Sequence, residues 1–309
     1  MPRIVQFWIL VVIAVSCGEE TIAQVGTRTV LSPTPGVVNA AATEEMELNR
    51  FKKQALQSIS VSAGAIADAN GSELNSSFLD VSIGTGIPLG SFDNILGVKP
   101  RFQIDWIDAE PTIDIPSELY QFEVQFFYRR PIRDRVSTMA IFSPSIRSDL
   151  TTSDNAFRVF ALALLNWECI PDRLTLSGGA VYLGRADIPV LPAVGLTWAP
   201  NYRTQLELRF PTSRLAYRLA KNGQQSEKWA YLSAGIGGNT WAVTRESTLT
   251  DELSLRDLRC TFGIEKQIDG GGGWFIESGF AFNRRIEYES DESAIQLGDG
   301  LVLQAGWRY

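Results

Sequence analysis

From Leu56 to the last residue, apolar and polar side chains take turns at every second position. Successive side chains of a β-strand point to opposite faces, so this period marks strands with one greasy face and one polar face. In LYQFEVQFFYRR, Tyr120, Phe122, Val124, Phe126 and Tyr128 fall on one face and Gln121, Glu123, Gln125 and Arg129 on the other. VKPRFQIDW sets Val98, Phe102, Ile104 and Trp106 against Lys99, Arg101, Gln103 and Asp105. TQLELRF sets Leu206, Leu208 and Phe210 against Gln205, Glu207 and Arg209, and DLRCTFGIE sets Leu258, Cys260, Phe262 and Ile264 against Asp257, Arg259, Thr261 and Glu265. Repetition on this scale, with few helical windows between, predicts an all-β fold.

Candidate strands fall near 56–66, 76–88, 96–106, 118–129, 135–147, 155–167, 173–184, 189–199, 203–220, 229–245, 253–266, 273–286 and 300–309, an odd set of thirteen. Single-chain bacterial outer-membrane barrels have even numbers of strands. Either the first segment lies outside the barrel, giving twelve, or 203–220 breaks at Pro211-Thr212-Ser213, giving fourteen.

Alternation alone does not separate a soluble β core from a membrane barrel, because the barrel inverts which face is buried and leaves the pattern unchanged. Three features favour the membrane. Segments run to about ten residues or more, near the ~9–11 that cross hydrocarbon at a tilt. Aromatic residues gather at strand ends, as interfacial girdles do (Trp106, Tyr120, Tyr128, Trp167, Trp198, Tyr202, Trp229, Trp241, Trp274, Trp307 and Tyr309). The chain closes on GLVLQAGWRY, an amphipathic strand with Leu301, Leu303, Ala305 and Trp307 toward lipid, Gln304 and Arg308 toward the lumen, and aromatic Tyr309 last. This ending resembles the C-terminal signature of bacterial outer-membrane barrels, so Trp307 and Tyr309 are the expected insertion signal, read by the barrel-assembly machinery. Short connections rich in Pro, Asn and Asp (PLGSFDN, PIRDR, CIPDR, APNY) alternate with longer, often acidic ones at 107–117, 148–154 and 287–299, matching short turns at one rim and long loops at the other.

The first residues, MPRIVQFWILVVIAVSCGEETIAQ, place Arg3 before an apolar run from Phe7 to Val15, too short for a spanning helix and suited to a secretory signal. Cleavage after Ala23 is expected, against a lipobox-like alternative at Cys17 that would add a lipid anchor. The expected organisation is a signal peptide at 1–23, a flexible periplasmic leader at 24–55 and one outer-membrane barrel domain at 56–309. Cleavage removes Arg3, Glu19 and Glu20 and moves the net charge from −7 to −6, a poor match to nucleic acid. Cys169 and Cys260 then remain, far apart and with nothing to suggest a pair.

The stretch YLGRADIPVLPAVGLTWAPNYRTQLELRFPTSRLAYRL, with FNRRIEYES and the terminal AGWRY, resembles a domain-of-unknown-function family of bacterial outer-membrane β-barrel proteins over about residues 55–309. The resemblance implies the fold and an outer-membrane location. It carries no activity and no functional residues.

The chain has no histidine, which removes Ser-His-Asp and Cys-His catalysis and imidazole metal sites. An enzyme is not expected, nor a cofactor. Gly270 to Gly273 reads as a turn, since no strand–helix context or Lys-Ser/Thr follows, and Asn222-Gly223 reads likewise. The acidic run EYESDESAIQLGD, with Glu287, Glu289, Asp291, Glu292 and Asp299, matches no calcium loop and reads as a solvated loop.

The candidate functional residues are the inward-facing polar set: Arg101, Gln103, Asp105, Gln121, Glu123, Gln125, Arg129, Gln205, Glu207, Arg209, Asp257, Arg259, Glu265, Glu277 and Arg308. They suit a pore lining that sets charge selectivity, or a ladder of ion pairs that fills and stiffens a closed lumen. The expected role is a passive channel or transporter for a small solute. The rival from another class is a non-conducting structural or binding barrel that acts through its loops; a soluble periplasmic β-protein is a further alternative. Outer-membrane lipid is an expected partner and nucleic acid is not.

Overall fold

A computed structural model describes residues 48, 49, 52, 54–69, 74–90, 94–182, 190–291 and 294–309. The expected signal, its cleavage site and nearly all of the leader lie outside the described residues, as does Glu292.

The described residues form one antiparallel up-and-down sheet that closes on itself. Its strands are β1 (Leu56–Asp68), β2 (Leu74–Pro88), β3 (Ile95–Ala109), β4 (Glu118–Arg133), β5 (Val136–Ser148), β6 (Phe157–Ile170), β7 (Leu174–Tyr182) and β8 (Val190–Asn201). They continue with β9 (Thr204–Arg209), β10 (Thr212–Asn222), β11 (Ser226–Thr244), β12 (Thr250–Ile268), β13 (Gly272–Tyr288), the two-residue β14 (Ile295–Gln296) and β15 (Gly300–Arg308). The first and last segments pair in a ladder from Ser60 opposite Arg308 to Asp68 opposite Gly300, while β15 pairs with β13 on its other side. Setting aside β14, which pairs only with β13, fourteen strands make the wall. The even number arises as the second alternative: the 203–220 segment breaks at Phe210-Pro211 into β9 and β10, and the first segment belongs to the barrel as β1. Closure leaves no sheet edge at the seam, where a greasy strand would otherwise present unpaired backbone.

The parity is that of an inverted protein. Phe122, Ile146, Leu165, Phe262, Phe280 and Leu303 point out and are 48–58% exposed, while Asp80, Gln121, Glu123, Glu207, Asp257 and Glu277 point in and are buried. Two residues assigned to the aromatic girdles do not belong there. Trp229 and Trp241 are 7% and 3% exposed, because both hold inward positions of β11; Trp229 Nε1 donates to Glu227 at 3.0 Å, and Trp241 packs in an apolar cluster. Trp106, Trp167, Trp198, Trp274, Trp307 and Tyr309 are exposed as girdle residues should be.

The two- and three-residue turns lie at the rim that holds Leu56 and Tyr309 except for Phe210-Pro211, and the longest connections lie at the other rim. At the Tyr309 rim the Tyr309 N–H donates to Ile59 O at 2.9 Å and Lys52 sits 3.3 Å over the Tyr309 ring. Asn49 also bonds the β12–β13 turn there, donating to Asp269 and accepting from Gly270 N.

Candidate functional site

β11 and β12, each nineteen residues, are the longest strands, and among the described residues the upper half of β11 has no β10 partner. β10 begins at Thr212, opposite Gly235, so residues 236–244 of β11 rise past its end. At Gly238 φ is +95°, a left-handed value glycine adopts at little cost, and a Cβ there would overlap the carbonyl oxygen of Leu255. From this bend the hairpin leaves the wall and reaches β5, although five strands lie between them in the sheet. Ala242 bridges Ser148 in parallel, Asp149 N donates to Ala242 O at 3.2 Å, and Thr244 N donates to Asp149 Oδ2 at 2.9 Å. Deeper in, Asn239 donates to Gln121 Oε1 at 2.6 Å and accepts from Arg147, whose guanidinium also faces Glu123 at 3.7 Å. A smaller ring of nine strands, running from β11 through β13 and β15 round to β5, therefore closes at this level.

The ring is filled. Leu74, Ile107, Leu119, Trp241, Val243, Leu253, Ile286 and Tyr288 form a buried cluster, with Ile113 and Ile115 of the β3–β4 loop packed against it. Arg245, in the hairpin turn, ties the cap together. Its Nε meets Asp114 of the β3–β4 loop at 3.0 Å, its Nη1 meets Asp291 at 2.9 Å and Asp251 at 3.5 Å, and its guanidinium lies 4.2 Å over the Tyr288 ring. Tyr288 in turn donates to the backbone oxygen of Asp114, and Arg158 of β6 pairs with Glu252 at 2.6 Å. Burial alone would raise the Asp251 pKa. The Ser290 hydroxyl, the backbone N–H groups of Glu252 and Ser290, and Arg245 outweigh it and hold the carboxyl below its ordinary value.

Beneath the cap lies a cavity of about 740 Å3 that extends to the Tyr309 rim, where Trp307 and Arg308 line it. Of the sequence-derived inward set, Arg101, Gln103, Asp105, Gln125, Gln205, Glu207, Arg209, Asp257, Arg259, Glu265, Glu277 and Arg308 line this cavity. Gln121 and Glu123 instead belong to the buried network under the hairpin, and the half-buried Arg129 lies opposite Ile95 outside the cavity lining. Many of the lining charges are paired. Arg101 holds Asp80, Arg209 holds Glu207, Arg259 meets Asp257 at 2.7 Å, and Arg214 meets Glu265 at 2.6 Å. Tyr231 donates to Glu277 at 2.9 Å under the Arg214 guanidinium. The interior is thus an ion-pair ladder and a cavity lining at once, for the pairs lie along the wall and leave the centre empty.

Sequence reasoning missed Asp80, Arg147, Arg214, Asn239 and Arg245. Period two could have placed Asp80 and Arg214 on the inward face, since Asp80 sits between Leu79 and Val81 and Arg214 is out of phase with Leu215, Tyr217 and Leu219. Nothing local announced Arg147, Asn239 or Arg245, whose cap-closing partners Asn239, Arg147 and Asp114 lie 92 to 131 residues away. Cys169 and Cys260 are free thiols.

Residues 108–295 match a family model described as "Domain of unknown function (DUF6268)". No curated protein matches the chain. Among solved structures, the chain is similar to a TodX monoaromatic hydrocarbon channel deltaS2 mutant at 11% identity and a TM-score of 0.42, covering 87% of this chain and 92% of that one. It is also similar to a COG4313 outer membrane channel from Pseudomonas putida F1 at 11% identity and a TM-score of 0.39, covering 84% and 98%. The translocator domain of autotransporter NalP from Neisseria meningitidis gives 12% identity and a TM-score of 0.36, covering 84% and 89%. These likenesses are loose.

Proposed function

The chain belongs to the DUF6268 family, and from that premise we propose that it is a passive outer-membrane channel for a small solute, closed at its outer mouth in the conformation described. One observation carries the reading: an exposed apolar outer face surrounds a polar, charge-paired interior that keeps a cavity of about 740 Å3 reaching one rim. An apolar outer face wound on a closed sheet suits hydrocarbon, where every backbone polar group needs an internal partner. The short-turn rim with Tyr309 is the periplasmic one in this reading, and the cap faces outward. Trp307 and Tyr309 remain the proposed insertion signal for the assembly machinery, and the proposed domain division keeps the leader periplasmic.

The cap does not end the channel reading: its buried cluster is tied to the loops through ion pairs around one guanidinium, and loops at barrel mouths are the low-stability part of such a fold. The test is planar-bilayer conductance of refolded protein whose folding is checked by heat-modifiable gel mobility. Wild type should open rarely and Arg245→Ala often. Folded protein that gives no steps in either form would rule out the channel and leave the non-conducting barrel.

A further inference from the structure

The charge-paired lining covers only part of the cavity. On β5 to β8 two successive rows of inward positions are apolar, aligned by the strand register. Ile141, Leu162, Val181 and Leu191 stand opposite one another across four strands, and Met139, Leu164, Gly179 and Ala193 form the row below. Phe160 extends the patch upward, and Asn166, Ser177 and Gly195 end it below. Ile141, Val181 and Met139 are buried at 3–8% exposure, and all the larger side chains of the two rows line the cavity. The sequence carries the same message in Val159–Leu165, where both faces of β6 are apolar and the alternation fails. A wall facing water has no reason to break the pattern here.

This patch runs to a gap. β9 ends at Arg209, level with Gly195, so residues 190–194 of β8 have no partner strand on that side among the described residues. Across from them β11 has turned away at Gly238 toward β5. Among the described residues, the wall between β8 and β11 is therefore open above the Phe210-Pro211 turn, with Val194, at 78% exposure, beside it.

We propose that the cavity takes an uncharged, largely apolar small molecule, seated on the β5–β8 wall, and that this molecule passes sideways between β8 and β11 into the membrane beneath the closed cap. Opposite the wall, Arg101, Arg209, Arg259 and Arg214 are engaged by Asp80, Glu207, Asp257 and Glu265, while burial of an apolar solute on the wall gains about 25 cal/mol per Å2. A volume of about 740 Å3 is in the range of sites that enclose a small organic ligand. The assignment rests on the channel reading and adds a solute class and a route to it.

The test uses the full chain refolded into phospholipid nanodiscs, with empty nanodiscs as blank, and the uncharged fluorophore N-phenyl-1-naphthylamine. Saturable binding at one site is expected. Leu162→Asn and Ile141→Asn should each weaken it at least tenfold, while Leu165→Asn, whose side chain points outward from the same strand, should leave it within twofold. Val194→Asp or Phe210→Asp should slow release of bound probe into empty vesicles at least fivefold. Binding no greater than the blank, or equal in wild type and both wall variants, overturns the solute class. Equal affinity for the anionic analogue 8-anilinonaphthalene-1-sulfonate overturns it too, and unchanged release from both gap variants overturns the route. The channel reading fails separately: ion steps without probe binding keep the channel and end this assignment, whereas probe binding with no steps in wild type or Arg245→Ala keeps the site and ends the channel.

Discussion

Replacing Arg245 by Ala should open the outer mouth, and the size of the effect follows from what that side chain holds. Its side chain is 20% exposed and meets Asp114, which is 29% exposed, and Asp251, which is 3% exposed. Partly buried pairs of this kind contribute about 1 kcal/mol each, while the bond to Asp291, 44% exposed, contributes only about 0.3 kcal/mol. The stacking on Tyr288 at 4.2 Å adds about 0.5 kcal/mol. Together these favour the closed cap by about 2–3 kcal/mol, and each 1.4 kcal/mol is about tenfold in an equilibrium constant. Open probability should therefore rise roughly 30- to 100-fold in Arg245→Ala. Removing the cation also leaves three carboxylates facing one another, which pushes the same way. Recordings belong near 0.1 M salt, since about 1 M salt screens the wild-type latch and shrinks the difference. Arg245→Lys, which keeps the charge and loses the fork, should fall between. An open probability within twofold of wild type, in protein shown to be folded, would refute the assignment of Arg245 as the tie of the cap.

Acid should loosen the same cap. Asp251 is held below its ordinary value of 3.8, so its stabilising contribution is complete above that value and fades as pH falls through the folded one; opening should rise only below about pH 4 and stay flat from pH 5 to 8. An Asp251→Asn channel with the same acid response as wild type would count against it. Gly238→Val should cost about 1–3 kcal/mol, because a β-branched residue is strained at φ +95° and its Cβ would meet the Leu255 carbonyl; the check is faster trypsin cleavage in the β11–β12 hairpin while the barrel band on a gel persists. Arg308→Glu, at the open rim of the cavity, should shift the reversal potential in a salt gradient toward cation preference, whereas Glu123→Arg should chiefly lower stability, since Glu123 is 6% exposed beside Arg147. Deleting Tyr309 should reduce the assembled fraction in cells and leave refolding in detergent unchanged, and equal assembly in cells would dispose of the insertion-signal reading.

Period two carried much of this protein on its own. It fixed the all-β class, the face of nearly every strand residue and, through Pro211 in the 203–220 segment, one of the two even strand numbers. Twelve of the fifteen candidate lining residues reached the cavity because parity is a local property of the backbone, fixed wherever the strand is extended. The same pattern is indifferent to which face meets solvent, so the exposed Phe122 and buried Glu123 settle in the tertiary structure what alternation left open. It is equally silent on where a strand leaves the wall. Trp241 keeps the inward parity of β11 and still ends in a cap, because Gly238 turns the hairpin and Arg147, Asn239, Arg245 and Asp114 then meet across 92 to 131 residues of chain. Contacts of that range depend on barrel closure, which brings β5 and the bent hairpin together over five intervening strands. The sequence by itself therefore determined amphipathic strands and their parity, and only the tertiary structure decided that the polar face lies inside, that the mouth is shut and that, among the described residues, β8 and β11 part above the Phe210-Pro211 turn.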